Sequence, residues 1–243
     1  MRLIRGRYTH ALTVVLAAGS VLAVTAAPGV SPWEDEVRAY ERADRERPPP
    51  QNGILFIGSS SIRLWKTLPQ DFPGLPVINR GIGGSQIHEV TALIDRLVVP
   101  YRPRLIVFYC GSNDLARGRT VSQVLRDFDA FVTRVHTVLP EARIAFLSIA
   151  PNPARWALVP RFRTVNRSIA RAAAGEPLLD YIDVFGHMLR TDGRPRREIF
   201  VEDRLHMNAR GYAIWREVIG EYLARPTSGT ISTPVVRGDR RNE

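Results

Sequence analysis

Five short apolar runs, at residues 54–57, 77–79, 105–109, 144–149 and 178–182, punctuate this chain. They are rich in Ile, Leu, Val and Phe and show little polar alternation. Such runs suit strands covered on both faces, as in a parallel sheet, because a half-exposed strand would alternate apolar with polar residues. The stretches between them read differently. Residues 86–97, 121–139 and 162–174 carry apolar positions three or four apart, the spacing of an amphipathic helix, and 209–223 closes the series. This alternation predicts one α/β domain, a three-layer α/β/α sandwich on a five-stranded parallel sheet with right-handed crossovers.

In open sheets of this class the ligand crevice lies just outside the carboxyl ends of the strands. The first run ends in GILFIGSSS, residues 53–61. Its glycine lets the backbone turn sharply and present the next side chain. Read alone, the serines are equally a nucleophile turn or a polar helix cap. The other strand ends weigh in. After the second run stands Asn79-Arg80-Gly81-Ile82-Gly83-Gly84-Ser85, after the third Gly111-Ser112-Asn113-Asp114, and before the last helix Asp203-Arg204-Leu205-His206. Acyl transfer requires a nucleophile, a base for its proton, a group that fixes the base's tautomer and donors for the oxyanion. A serine near Ser60 supplies the first, His206 the second and Asp203, three residues earlier, the third. The Gly83-Gly84 pair leaves backbone room to aim an N–H, and Asn113 adds a neutral side-chain donor.

With 44% hydrophobic residues in 243, the chain can bury a sizeable core without metal or disulfide support. Its single cysteine, Cys110, ends an apolar run and reads as a buried, inert thiol. No His, Cys and Asp cluster has metal-ligand spacing, and residues 81–84 lack the glycine spacing of a dinucleotide turn, so neither metal nor cofactor is expected. The formal charge of +10 falls to +7 once the three arginines of residues 1–27 are set aside. The remaining basic residues are interspersed with acids and form no stripe with aromatics, which argues against nucleic-acid binding.

Residues 1–27 have the layout of a secretory signal: Arg2, Arg5 and Arg7, an apolar stretch over 11–24, then Thr25-Ala26-Ala27. The expected destination is periplasmic or secreted, without stable membrane insertion after cleavage; an uncleaved anchor is the alternative. Residues 28–50 form a helical, then proline-rich lead-in, its helix at 32–47 stopped by Pro48, Pro49 and Pro50. Residues 151–160 read as a proline-rich loop at the rim of the crevice, and 226–243 as a disordered tail.

The four strand-end blocks, in this order between about residues 53 and 223, resemble those of the SGNH hydrolase superfamily, the GDSL-type esterases and lipases. The resemblance makes residues 51–225 the hydrolase domain and implies a flavodoxin-like sheet and metal-free catalysis. It gives Ser60, in Gly58-Ser59-Ser60, the role of nucleophile. Asp203 and His206 match the family's DxxH pair, and the Ser60 N–H, the Gly84 N–H and the Asn113 side chain its oxyanion hole. The chain departs from the family at Ser59, where an acid is usual, so the Ser59 hydroxyl is expected to take over that acid's hydrogen bonding, and Ser59 and Ser61 stand as alternative nucleophiles. His187 is the reserve base; His88 and His136 read as packed or surface residues, and Asp114 as a cap or a brace for the Asn113 loop. The activity implied is hydrolysis of carboxylic esters or thioesters, on a small molecule or an acylated glycan or lipid. A silent acyl-glycan or lipid binding module and an O-acetyltransferase are the alternatives. Neither acyl length, alcohol nor oligomeric state is encoded legibly.

Overall fold

In the computed structural model, which describes residues 31–225, the elements run α1 (Glu34–Glu46), β1 (Ile54–Gly58), α2 (Ser60–Arg63), α3 (Leu68–Asp71), β2 (Val77–Gly81), α4 (Ile87–Ala92), α5 (Ile94–Leu97), β3 (Leu105–Tyr109), α6 (Ser112–Ala116), α7 (Val121–Val138), β4 (Arg143–Leu147), α8 (Val159–Ala173), β5 (Leu179–Ile182) and α9 (Ala209–Leu223). The signal and the tail read from the sequence lie outside the described residues. All strand pairings are parallel and the order is β2-β1-β3-β4-β5. This is the flavodoxin-like order, with its topological switch between β1 and β3. Every residue of β1 and β3 is buried.

Alternate side chains of the central strands feed two separate cores, as the two-residue strand period requires. Leu55, Ile57, Ile106 and Phe108 face the layer containing α1, α4, α5, α7 and α8. There Phe108 stacks on Phe131 with ring centroids 4.0 Å apart. Ile54, Phe56, Val107 and Tyr109 face the layer of α2, α3 and α9. On that side Trp65 packs against Tyr212 at 5.2 Å and against Trp215 at 5.9 Å. These aromatic contacts fasten α9 to the segment just beyond the first strand, at the same end of the sheet as the serine block.

Three local expectations are revised. The helix expected over residues 86–97 is broken at Leu93, whose φ of −101° and ψ of 3° separate α4 from α5. The 151–160 stretch is no open loop: Pro153–Leu158 forms a 3-10 turn and α8 begins at Val159. Pro160 fits there because a first helical turn needs no N–H from it. Strand β2 runs two residues beyond its apolar run, to Gly81, because Gly81 still pairs with Gly58. Among the described residues no helix is long and apolar enough to cross a membrane.

Candidate active site

The end of β1 is shaped by Gly58. Its φ of 139° is open only to glycine, and a Cβ there would lie 1.9 Å from the Tyr109 carbonyl oxygen. That close approach lets the Ser59 N–H donate to the Tyr109 oxygen at 2.9 Å, extending the β1–β3 seam one residue past the strand. Ser60 then opens α2, a single turn held at its far end by Asn79, whose Nδ2 donates to the Ile62 oxygen at 2.7 Å and the Trp65 oxygen at 3.3 Å. The Tyr212 hydroxyl donates to the Ser61 oxygen at 2.8 Å, tying the same turn to α9.

His206 arrives from the opposite end of the chain. Asn208 caps α9 by accepting from the Arg210 and Gly211 N–H groups, which fixes where the helix starts. The loop before it is closed by the Phe200–Met207 bridge and by the Val201 N–H donating to the His206 oxygen at 2.9 Å. Within that loop Asp203 Oδ1 accepts from the Leu205 and His206 backbone N–H groups at 2.8 and 2.9 Å. Its Oδ2 lies 2.6 Å from His206 Nδ1, and His206 Nε2 lies 2.9 Å from Ser60 Oγ. The Asp203 side chain is half exposed. Burial pushes its pKa up, but donation from the His206 N–H, the imidazole and the Leu205 N–H outweighs this and leaves it below the usual carboxylate value. An ionised carboxylate only accepts, so Nδ1 carries the ring proton and Nε2 presents its lone pair to the Ser60 hydroxyl.

The structure also sorts the serines. His206 meets Ser60 alone among the serines of the described residues. Ser61 lines the adjoining cavity. Ser59 is buried, yet its hydroxyl makes no hydrogen bond among the described residues, so it does not replace the bonding of the missing acid.

Asn113 borders the same cavity as Ser60; its Nδ2 donates to the Ser85 oxygen at 3.0 Å and has no second protein acceptor among the described residues. Gly84 adopts φ 73°, and neither its N–H nor that of Ser60 has a protein acceptor among the described residues. Asp114 is fully buried and accepts from the Ile87 N–H at 3.0 Å, bracing α4 against α6; burial raises its pKa.

The remaining candidates fall away from the site. His187 is exposed and outside the cavity, where its neighbour Met188 contributes instead. His136 packs on the Ala142 oxygen at 3.1 Å. Cys110 is buried, and burial carries its pKa well above the ordinary thiol value. Although the sequence shows no metal-ligand spacing, folding gathers ligand atoms of His88, Asp114 and Asp127 within 4.8 Å of one another. The two carboxylates there already serve the Ile87 N–H and Arg119, the latter at 2.5 Å.

Sequence reasoning missed the part played by α1. From this helix and the residue before it, Trp33 Nε1 donates to the Gly83 oxygen at 2.7 Å, Tyr40 to the Gly81 oxygen at 2.8 Å, and Glu36 accepts the Gly83 N–H at 3.1 Å. Glu36 also faces Arg63 of α2 at 3.3 Å. Asp44 pairs with Arg80, whose guanidinium is sandwiched by Tyr40 and Tyr101. The sequence offered no sign of this, since a mixed-charge helix looks the same whether its acids meet water or backbone N–H groups.

Comparison with known proteins agrees with the geometry. The profile of the GDSL-like Lipase/Acylhydrolase family matches residues 58–214. The alpha1 subunit of platelet-activating factor acetylhydrolase IB from Bos taurus is 29% identical over 171 residues, covering 65% of this chain and 69% of that protein. A solved GDSL-like lipase from Bacteroides thetaiotaomicron superposes with a TM-score of 0.66 at 18% identity, over 77% of this chain and 96% of that one. An acetylxylan esterase from Geobacillus stearothermophilus gives 0.59 at 13% identity, over 74% and 98%. The last two likenesses speak for the fold, and the family match covers more than half of the sequence. The chain therefore belongs to the GDSL-like lipase/acylhydrolase family, and with it to the carboxylic ester hydrolases.

Proposed function

We propose that this protein is an exported serine esterase that cleaves short-chain carboxylic esters, or thioesters, through an acyl-enzyme on Ser60. The observation that carries the reading is the unbroken hydrogen-bonded line from Ser60 Oγ through His206 to Asp203, at 2.9 and 2.6 Å. In the first half-reaction Ser60 Oγ attacks the carbonyl carbon while His206 Nε2 takes its proton. Asp203 keeps the proton on Nδ1 and offsets the charge of the imidazolium that forms. The oxyanion is received by the N–H groups of Ser60 and Gly84 and the second amide N–H of Asn113. His206 returns the proton to the leaving alcohol or thiol. It then deprotonates water, which attacks the acyl carbon and releases the acid with Ser60 regenerated.

The cavity beside Ser60 is narrow, with about 20 Å³ open to the centre of a water-sized sphere. That is far below the roughly 300 to 1,000 Å³ of pockets for drug-sized ligands, so the space beside Ser60 suits a short acyl group. The names of the bovine acetylhydrolase and the acetylxylan esterase, both specifying acetyl, support the same reading. Export is supported by the arginine-flanked apolar segment of residues 1–27.

The test is covalent and kinetic. A fluorophosphonate probe should label the mature protein and fail on Ser60→Ala. The same substitution should lower kcat on 4-nitrophenyl acetate by about 10⁶, since triad members act as a unit. Hydrolysis by the Ser60→Ala variant at the parental rate would refute the assignment.

A further inference from the structure

The cavity next to Ser60 contains one charged side chain, Arg155, among the described residues that line it. Its Nη1 donates to the Ser112 hydroxyl at 2.8 Å. No carboxylate pairs with it among the described residues, and burial together with the repulsion of Arg117 makes its charge costly to hold. Most other partly buried arginines among the described residues are neutralised by carboxylates, Arg80 by Asp44, Arg96 by Glu34 and Glu41, Arg119 by Asp127 and Arg143 by Asp180, whereas Arg161 lies outside the cavity and donates to the Arg119 oxygen at 2.6 Å. A half-buried cation without a counter-ion is a local violation that a fold tolerates chiefly where a ligand relieves it.

The guanidinium is also held in place. The Arg155 N–H donates to Asn152 Oδ1 at 2.9 Å, and the neighbouring Ala154 N–H donates to the Arg204 oxygen at 3.1 Å, within the loop that carries His206. Ser112 anchors its tip one residue before Asn113. Asn152 is itself buried in the cavity wall, and its Nδ2 has no protein acceptor among the described residues. Among the described residues, the lining of this cavity thus offers N–H donors from Arg155, Asn152 and Asn113 and no carboxylate.

We propose that this cavity selects esters bearing an anionic group, a carboxylate or a phosphate, close to the scissile bond, with Arg155 as the residue that receives it. A guanidinium suits this task because its planar donor fork matches the two oxygens of such a group. The inference rests on Ser60 being the nucleophile that attacks the ester.

The test uses two matched pairs of esters with the mature protein, in low salt. Mono-4-nitrophenyl succinate against 4-nitrophenyl butyrate places the charge on the acyl side, and 4-acetoxybenzoate against 4-acetoxybenzamide places it on the alcohol side. A Ser60→Ala blank removes spontaneous hydrolysis. In at least one pair the charged ester should be favoured in kcat/KM by about tenfold, the worth of one charge-assisted contact, and the pair that responds tells which side of the ester Arg155 meets. Arg155→Gln should abolish the preference and Arg155→Lys should keep part of it. Ser112→Ala, which leaves the guanidinium but removes its tether, should weaken the preference without abolishing it. Turnover of the neutral esters with no preference in either pair overturns the proposal while the esterase reading stands. So does an Arg155→Gln variant that loses the same factor on charged and neutral partners. Absence of turnover on all four esters overturns both readings.

Discussion

Asp203→Asn isolates the electrostatic step on which the proposed chemistry depends. The introduced carboxamide keeps an oxygen for the Leu205 and His206 N–H groups, which Asp203 Oδ1 now serves at 2.8 and 2.9 Å, so the loop retains its shape. At the other position an NH2 replaces the oxygen that stands 2.6 Å from His206 Nδ1. Two donors cannot face each other there, so the imidazole moves its proton to Nε2. It then donates to Ser60 Oγ, where it must accept, and the base is lost. A reversal of this kind costs on the order of 10⁴ in kcat, or about 5.5 kcal/mol. Because 47% of the Asp203 side chain is exposed, water competes for Nδ1 and the loss should fall between about 10³ and 10⁴. The assay is kcat on 4-nitrophenyl acetate, with thermal unfolding as the folding control. Exchanging two charge-assisted bonds for neutral ones should cost about 1 kcal/mol, a Tm shift of about 2–4 °C. The gap has a pH sign. A carboxylate held below its ordinary pKa stabilises the fold above the unfolded-state value, and that contribution is lost as pH falls through the folded one. The Tm difference between parent and variant should therefore close in acid. A kcat within threefold of the parent, in a variant that folds, would refute the reasoning.

The other predictions test the oxyanion side and the buried carboxyl. Asn113→Ala should lower kcat by about 10² to 10³, as the loss of one oxyanion donor does, with little change in KM on 4-nitrophenyl acetate. Glu36→Gln replaces the carboxylate that accepts the Gly83 N–H and faces Arg63. It should lower kcat by about tenfold, less than a lost donor, because the loop slackens while its N–H remains; a change in KM alone would argue against a role in positioning. Asp114→Asn should raise Tm at neutral pH. Burial lifts this carboxyl above its ordinary pKa, so its ionised form weighs against folding at pH 7 and the penalty fades as pH falls below the folded value. Tm measured at pH 7 and at pH 4 should show the variant's advantage shrinking in acid.

The sheet was legible because strands buried on both faces leave unbroken apolar runs, and the four blocks at their ends supplied the residues of the candidate site. What escaped the sequence were features set by contacts between distant segments. The break at Leu93 leaves no proline or glycine as a marker in the sequence. Residues 151–160 looked like a loop because prolines count against helices, yet Pro160 lies in the first turn of α8, where a missing N–H costs nothing. Asn79 could have been noticed, as an amide that closes an apolar run calls for a partner, and its partners proved to be the carbonyls beneath Ser60. Arg155 had no signal at all, since its distinction is the carboxylate it lacks.

The family profile begins at Gly58, but residues well before it brace the rim of the proposed site. The glycine loop that contains Gly84 is braced by α1 and the residue before it. Trp33 and Tyr40 hold two of its carbonyls and Glu36 holds one of its N–H groups. Asp44 and the two tyrosine rings fix Arg80 within the strand that feeds it. Through Arg63, Glu36 also touches the turn that carries Ser60, so one carboxylate ties that turn to the glycine loop. Electrostatic catalysis gains from donors that are already aimed before charge develops, since no reorganisation is then needed during the reaction. On the mechanism we propose, the helix of the lead-in therefore helps to keep those donors aimed, and a variant lacking it should keep the line from Ser60 through His206 to Asp203 while losing part of the proposed oxyanion hole.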